Sequence, residues 1–313
     1  MADEHIHWSR RTLLAGAGTA FASLALGNWP RRVAAAGGIS WTRLTPSLTL
    51  LASASGNMLF HETASGCVLV DTGLANEADD LLETLEELSD QPVVAVFNTH
   101  WHADRVGANA LLAEQGAAIH AHVKTRQRLA SGYYLPDQDA YAPALTPAGV
   151  PTETFYDAGT LNVGRDQIEY FHLIEAHTDG DIAVRFPVAN VIAIGGVISP
   201  DSDPEFDWFG GGWLGGRLDA YERLLENSDQ DTRFVPAQGP VISRAELKDE
   251  HQMLLELFDR MVEHIRLGQD SRDMLEVGVL DGLGRTFDDP YRLLYDLNKS
   301  FWAHHNKLMH DIV

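Results

Sequence analysis

Three histidines carry the chemistry this sequence is equipped for. His100 and His102 stand in the segment Phe97-Asn98-Thr99-His100-Trp101-His102-Ala103-Asp104-Arg105, where an apolar run ends and a helical pattern is about to begin. In extended backbone, side chains at i, i+2 and i+4 face the same way, so His100, His102 and Asp104 converge at one side of the strand's end. Neutral imidazoles are good zinc ligands, and a site with three protein ligands keeps an open position for water. His177 follows in Glu175-Ala176-His177-Thr178-Asp179-Gly180-Asp181, a turn between two strand patterns. Gly180 supplies backbone freedom that other residues lack there. Asp71 closes an earlier strand in Val70-Asp71-Thr72-Gly73 and is a candidate to orient a ligand histidine by hydrogen bonding.

The elements that must position these groups are legible in outline. Residues 47–54, 57–61 and 67–70 read as successive strands separated by turn residues. Leucines at 81, 82, 85 and 88 among acidic residues predict an amphipathic helix over 76–89. Pro92 ends that element and the run 93–97 begins a buried strand; a helix follows Asp104, then a strand near 117–121 and a helix from Val123. Residues 132–153 read as a surface loop, and strands resume at 167–174, 182–186 and 191–194. A glycine-rich stretch, 209–216, leads to a helix over 217–228, a short strand at 233–235 and a long helix over 243–267. Two groups of strands followed by helices suggest an α+β, four-layer αββα sandwich. The expected organisation is a leader at 1–36, one sandwich domain at 37–268 and a C-terminal helical extension at 269–313.

The leader reading rests on Arg10-Arg11 before a weakly apolar stretch, Leu13 to Leu26, and on Ala34-Ala35-Ala36 after it. This resembles a twin-arginine export signal, and implies a product outside the cytoplasm, periplasmic or otherwise exported. With 23 basic and 45 acidic residues the chain carries a formal charge of −22. Such a field repels nucleic acid and anionic membrane surfaces, which leaves a small-molecule substrate as the expected partner. The single cysteine, Cys67, excludes an internal disulfide and reads as a small core residue.

Asp71-Thr72-Gly73, then His100-x-His102-x-Asp104, then His177-Thr178-x-Gly180-Asp181, in that order, resemble the metallo-β-lactamase superfamily over approximately residues 45–245. The resemblance implies a zinc site at one edge between two sheets, and Arg105 is reminiscent of true class B β-lactamases. The departures are informative. Gly196 stands where the superfamily usually has an aspartate or cysteine, and Gln238 replaces the histidine of a Gly-His-Gly-Pro turn. Both missing groups would hold a second metal. One zinc per chain is therefore expected, on His100, His102 and His177, with Asp104 as a further possible ligand. Asp201 or Asp203 could supply a carboxylate only through a local rearrangement, and Gln238 is a weak neutral donor. The implied activity is a hydrolase using a metal-bound hydroxide on a lactam, lactone, ester or thioester carbonyl, with Asp104 orienting the water and carrying its proton. A non-catalytic metal-binding accessory protein and a class B β-lactamase are the competing readings.

The remaining histidines read as structural. His120 and His122 end a strand, His61 lies at another strand end, and His172 alternates with Tyr170 and Ile174. His304, His305 and His310 crowd the C-terminal helix, as surface positions or as a replacement ligand folding back. Trp208, Phe209 and Trp213 form either a substrate wall or packing under a loop.

Overall fold

A computed structural model of the chain describes residues 31–32 and 38–310. Its architecture follows from the period-two burial of the strands. In the strand Gly66–Val70 every residue is buried. Val68 and Val70 face one core while Cys67 and Leu69 face another, so this sheet is covered on both sides. That strand is central to a sheet of eight, in the order 31–32, 40–43, 48–53, 56–63, 66–70, 93–97, 118–122 and 153–155. A second sheet of six runs 158–163, 166–172, 182–186, 191–195, 233–236 and 242–243.

The two sheets bury their facing sides against each other through Leu48, Leu59, Val70 and Phe97 on one and Ile168, Val184, Val191 and Val235 on the other. The outer face of the first sheet is covered by the helices Ala78–Leu88 and Asn109–Glu114, which bury Leu81, Leu85 and Leu112. Helices Leu214–Glu226 and Arg244–Arg266 cover the second sheet, and Ser271–Glu276 and Pro290–His310 share their core. The result is helix, sheet, sheet, helix. The C-terminal helices extend the last layer and do not stand apart from it, because Met274, Leu294 and Leu297 are fully buried in the same cluster as Leu257 and Met261.

Most expected elements are present, with shifted ends. The expected helix after Asp104 is two short pieces, Ala103–Val106 and Asn109–Glu114. A side chain at Gly107, between them, would meet the backbone of Leu74 and Ala75 at 2.2 Å, so the chain must pass bare there. The expected loop over 132–153 contains a small hairpin, Tyr133–Leu135 with Ala140–Ala142. Arg31–Arg32, inside the expected leader, pair antiparallel with Ser40–Arg43 at the sheet's edge. An edge strand offers free backbone donors and acceptors to any extended neighbour. The rest of the leader lies outside the described residues. No helix among the described residues is long and apolar enough to cross a membrane.

Candidate metal centre

His100 and His102 leave the end of the strand Val93–Phe97, and His177 leaves the loop between Asp166–His172 and Ile182–Phe186. The site therefore draws its histidines from both sheets. Their ring centroids lie 4.8, 4.8 and 4.9 Å apart and each pair of rings is inclined at 87°. One nitrogen from each ring falls within 4.8 Å of the others.

The second nitrogen of each ring shows how it is held. His102 Nε2 lies 3.0 Å from Asp207 Oδ2, so Nδ1 is the nitrogen left for the centre. His100 Nδ1 lies 3.2 Å from the Thr99 hydroxyl. That hydroxyl already donates to Asp71 Oδ2 at 2.7 Å, so it accepts from His100 and leaves Nε2 as a bare lone pair. His177 Nδ1 is buried without a hydrogen-bond partner, 3.6 Å from Asp181 Oδ1. Burial and the two neighbouring histidines push His100 well below the ordinary imidazole range, so it is neutral. Burial also opposes charge on His102, but Asp207 outweighs it and raises its pKa. Lone pairs converging in a buried space repel one another unless a cation lies between them. The donor set, tautomers and spacing fit a zinc ion.

Asp71 lies one hydrogen bond removed from the histidines. Its carboxylate accepts from Thr99 N and Thr99 Oγ1, both at 2.7 Å, and it is Thr99 that meets His100. Burial raises Asp71 to about 6 against the opposing pull of Arg105. Asp71 is also one of four non-glycine residues with positive φ among the described residues, at +62°. Arg105 is fully buried, donates to the carbonyls of Ser55 and Asn57, and meets Asp104 Oδ2 at 2.6 Å. Burial would raise Asp104, but the Arg105 guanidinium prevails and holds it below the usual carboxylate range.

A cavity of about 400 Å³ opens over the histidines, with Asp104, Gly196, Asp201 and Gln238 in its wall. Gln238 donates to the Ser55 carbonyl at 3.0 Å. Asp201 lines the cavity without joining the close histidine cluster. Asp203 is elsewhere: its carboxylate accepts from the backbone of Asp288 and Asp289, leading into the C-terminal helix. At Gly196 an added Cβ would stand 2.4 Å from His177 Nδ1 and 2.6 Å from Cε1. The ring of His177 occupies the room a side chain at 196 would need.

Asp207 and the glycine run beside it are what sequence reasoning missed. The backbone of 207–213 is laced to the His177 loop: Asp207 N donates to His177 O, Asp179 N to Gly210 O, and Trp213 N to Glu175 O. A Cβ at Gly212 would meet His177 O at 2.0 Å. The glycines permit that approach, and it delivers Asp207 to His102. An acid directly before an aromatic and glycine run was the available signal.

The other candidates have structural partners. His122 and His172 stack at 3.7 Å, and His120 stacks on Phe97 at 4.9 Å. His61 Nε2 meets Asp166 at 3.0 Å. His304 stacks on Trp213 at 3.7 Å and meets Glu175, so Trp213 is packing under the C-terminal helix and not a substrate wall. Phe209 is exposed and contacts Trp208 and Tyr134. His305 is exposed, and the side chain of His310 lies outside the described residues. Cys67 is buried, and burial raises its thiol.

Residues 54–237 match the family model of the metallo-beta-lactamase superfamily. The chain belongs to that superfamily. It is similar to metallo-beta-lactamase type 2 of Bacillus sp. (strain 170), at 29% identity over 195 residues, 59% of this chain and 67% of that one. Exodeoxyribonuclease WalJ of Streptococcus pneumoniae is 31% identical over 118 residues, 37% of this chain and 43% of that one. Among solved structures, the metallo-beta-lactamase of Pontibacter korlensis aligns with a TM-score of 0.58 at 21% identity, over 69% of this chain and 99% of that one. A double mutant of the sec-alkyl sulfatase PisA1 aligns with a TM-score of 0.63 at 15% identity, over 87% of this chain and 50% of that one. These two likenesses are of fold. The superfamily is one of metal-dependent hydrolases, and this chain brings one nitrogen of each of three histidines within 4.8 Å of the others.

Proposed function

We propose that the chain is a mononuclear zinc hydrolase acting on the carbonyl of a lactam, lactone, ester or thioester. The observation that carries this reading is the pairing of three convergent imidazoles with a His177 ring that fills the space over Gly196. Zinc on neutral imidazoles with an open position supplies Lewis acidity and lowers the pKa of water to about 7. The chain's own groups do the rest. Asp207 and Thr99 fix which nitrogen of His102 and His100 faces the centre. Arg105 holds one oxygen of Asp104, keeping an ionised carboxylate on the cavity wall beside His100 and His102. There it accepts a proton from the attacking water and returns it to the leaving group.

A class B β-lactamase is the second reading. Arg105 and the Bacillus relative favour it, while the absent ligands at Gly196 and Gln238 weigh against it. Export through the twin-arginine leader at residues 1–36 belongs to the proposal, as does a small-molecule rather than a nucleic-acid substrate.

Elemental analysis of the native protein and of His177→Ala, with turnover of activated esters, lactones, thioesters and β-lactams, tests the reading. One zinc per chain, lost together with turnover in the variant, is expected. Two metals per chain sink the mononuclear site. Full metal with no turnover across the set points instead to an accessory role.

A further inference from the structure

The walls of the histidine cavity carry charge of one sign. Asp104, Asp201 and Glu205 line it together with Ser199, Ser202 and Gln238, and no lysine or arginine is among its lining residues. Asp201 and Glu205 are exposed, so both carboxylates stand in the path of an entering molecule.

The arginines in the neighbourhood are held elsewhere. Arg105 is fully buried behind the site and spends its guanidinium on Asp104 and on the carbonyls of Ser55 and Asn57. Arg217 is fully buried over the ring of Phe206, where it donates to the Glu205 carbonyl. Arg285 donates to the carbonyls of Ser199 and Ser202, behind the loop that forms the wall. Arg128 makes two bonds to Asp179, at 2.9 and 2.7 Å. None is a cavity-lining residue. An anionic substrate would find no lysine or arginine among the cavity's lining residues to pair with, and would meet carboxylates on approach. The overall charge of −22 acts in the same direction at longer range.

We propose that this site selects uncharged or cationic substrates and rejects anionic ones, with Asp201 and Glu205 as the residues that set the preference. The proposal rests on the histidine centre being the reactive site. It sets the chain apart from an enzyme whose substrate carries a carboxylate, a sulfate or a phosphodiester next to the bond cleaved. The complementary molecule is an ester, lactone or thioester that is neutral, or bears an ammonium group a few bonds from the carbonyl.

The test uses the zinc-loaded full chain and two thiols of matched length, 3-mercaptopropyl-trimethylammonium and 3-mercaptopropanesulfonate, whose binding is measured by calorimetry at low ionic strength. The cationic thiol should bind about tenfold more tightly than the anionic one, as expected of two carboxylates acting through water-rich surroundings. In Asp201→Asn/Glu205→Gln, with zinc content unchanged, that ratio should fall at least about threefold, and added salt should narrow it in the native protein. Equal or tighter binding of the sulfonate, or a ratio unmoved by the double substitution, overturns the proposal. Esters bearing the same two end groups separate it from the hydrolase reading. A charge preference in thiol binding with no ester turned over sinks the hydrolase and leaves the preference. Faster turnover of the anionic ester sinks the preference and leaves the hydrolase.

Discussion

Replacing Gly196 by aspartate supplies the carboxylate that the family resemblance leads one to expect there, and the geometry predicts that it weakens metal binding rather than adding a second ion. An ideal Cβ at 196 lies 2.4 Å from His177 Nδ1, 2.6 Å from Cε1 and 2.9 Å from Cγ. To restore an ordinary contact of 3.4 Å the ring must retreat by about 1 Å. Metal–ligand distances tolerate only about 0.2 Å, so the retreat takes His177 out of the ligand set. His177 is 3% exposed and packed edge-on against His100 and His102, so any retreat disturbs its placement against both rings. Overpacking of this kind costs about 1–3 kcal/mol. Charged to metal binding, it weakens zinc affinity by about 5- to 150-fold. Gly196→Ala carries the same Cβ without the carboxylate and should lose a comparable part of the affinity. Competition against a chromogenic chelator gives the dissociation constants, and elemental analysis gives the stoichiometry. Two metals bound to Gly196→Asp, with first-site affinity unchanged, would refute the packing argument and mean that His177 yields freely.

Three further outcomes are expected. Asp207→Ala removes the acceptor on His102 Nε2 and should weaken zinc binding by about 10- to 100-fold, whereas Asp207→Asn, which keeps an acceptor oxygen, should lose much less; a metal titration compares them. Burial and the adjoining His172 hold His122 down at about 4. A lowered histidine contributes stability that is whole above its unfolded value of about 6.5 and is lost as pH falls towards 4, worth roughly 3 kcal/mol at most. In metal-free protein, His122→Gln should therefore flatten the fall in urea midpoint between pH 6.5 and 4, and an unchanged slope would show that His122 does not titrate as its burial implies. His304→Ala removes the stack on Trp213 and should cost about 1 kcal/mol, raising hydrogen exchange along 290–310 while zinc content stays as it was.

The three clustered histidines were legible because two sit at strand spacing beside a strand's end and the third lies in a short turn with glycine and aspartate. Local pattern suffices for groups of that kind. Asp207 was harder to read, because its partner lies 105 residues away and the aromatic and glycine run after it, the one local signal, does not say which imidazole it faces. Gly196 was read from the resemblance as a missing ligand; that the ring of His177 fills the space a side chain there would need is a packing fact between separate loops, and no single-chain period encodes it. Asp71 was read as bonding a histidine directly, whereas its carboxylate bonds Thr99, and that contact depends on a backbone at positive φ, where aspartate is tolerated and not signalled. The layers came from apolar periodicity, while the small hairpin at 133–142 did not, since its strands, one half-buried and one mostly exposed, bury no continuous face.

Because His100 and His102 hang from the first sheet and His177 from the second, neither half alone presents more than two of the three nitrogens. The centre is thus a logical conjunction: it exists only when both halves have docked across their shared core. An ion that needs all three imidazoles would have to wait for the sandwich to close, and its occupancy in a preparation would then double as a count of correctly assembled molecules.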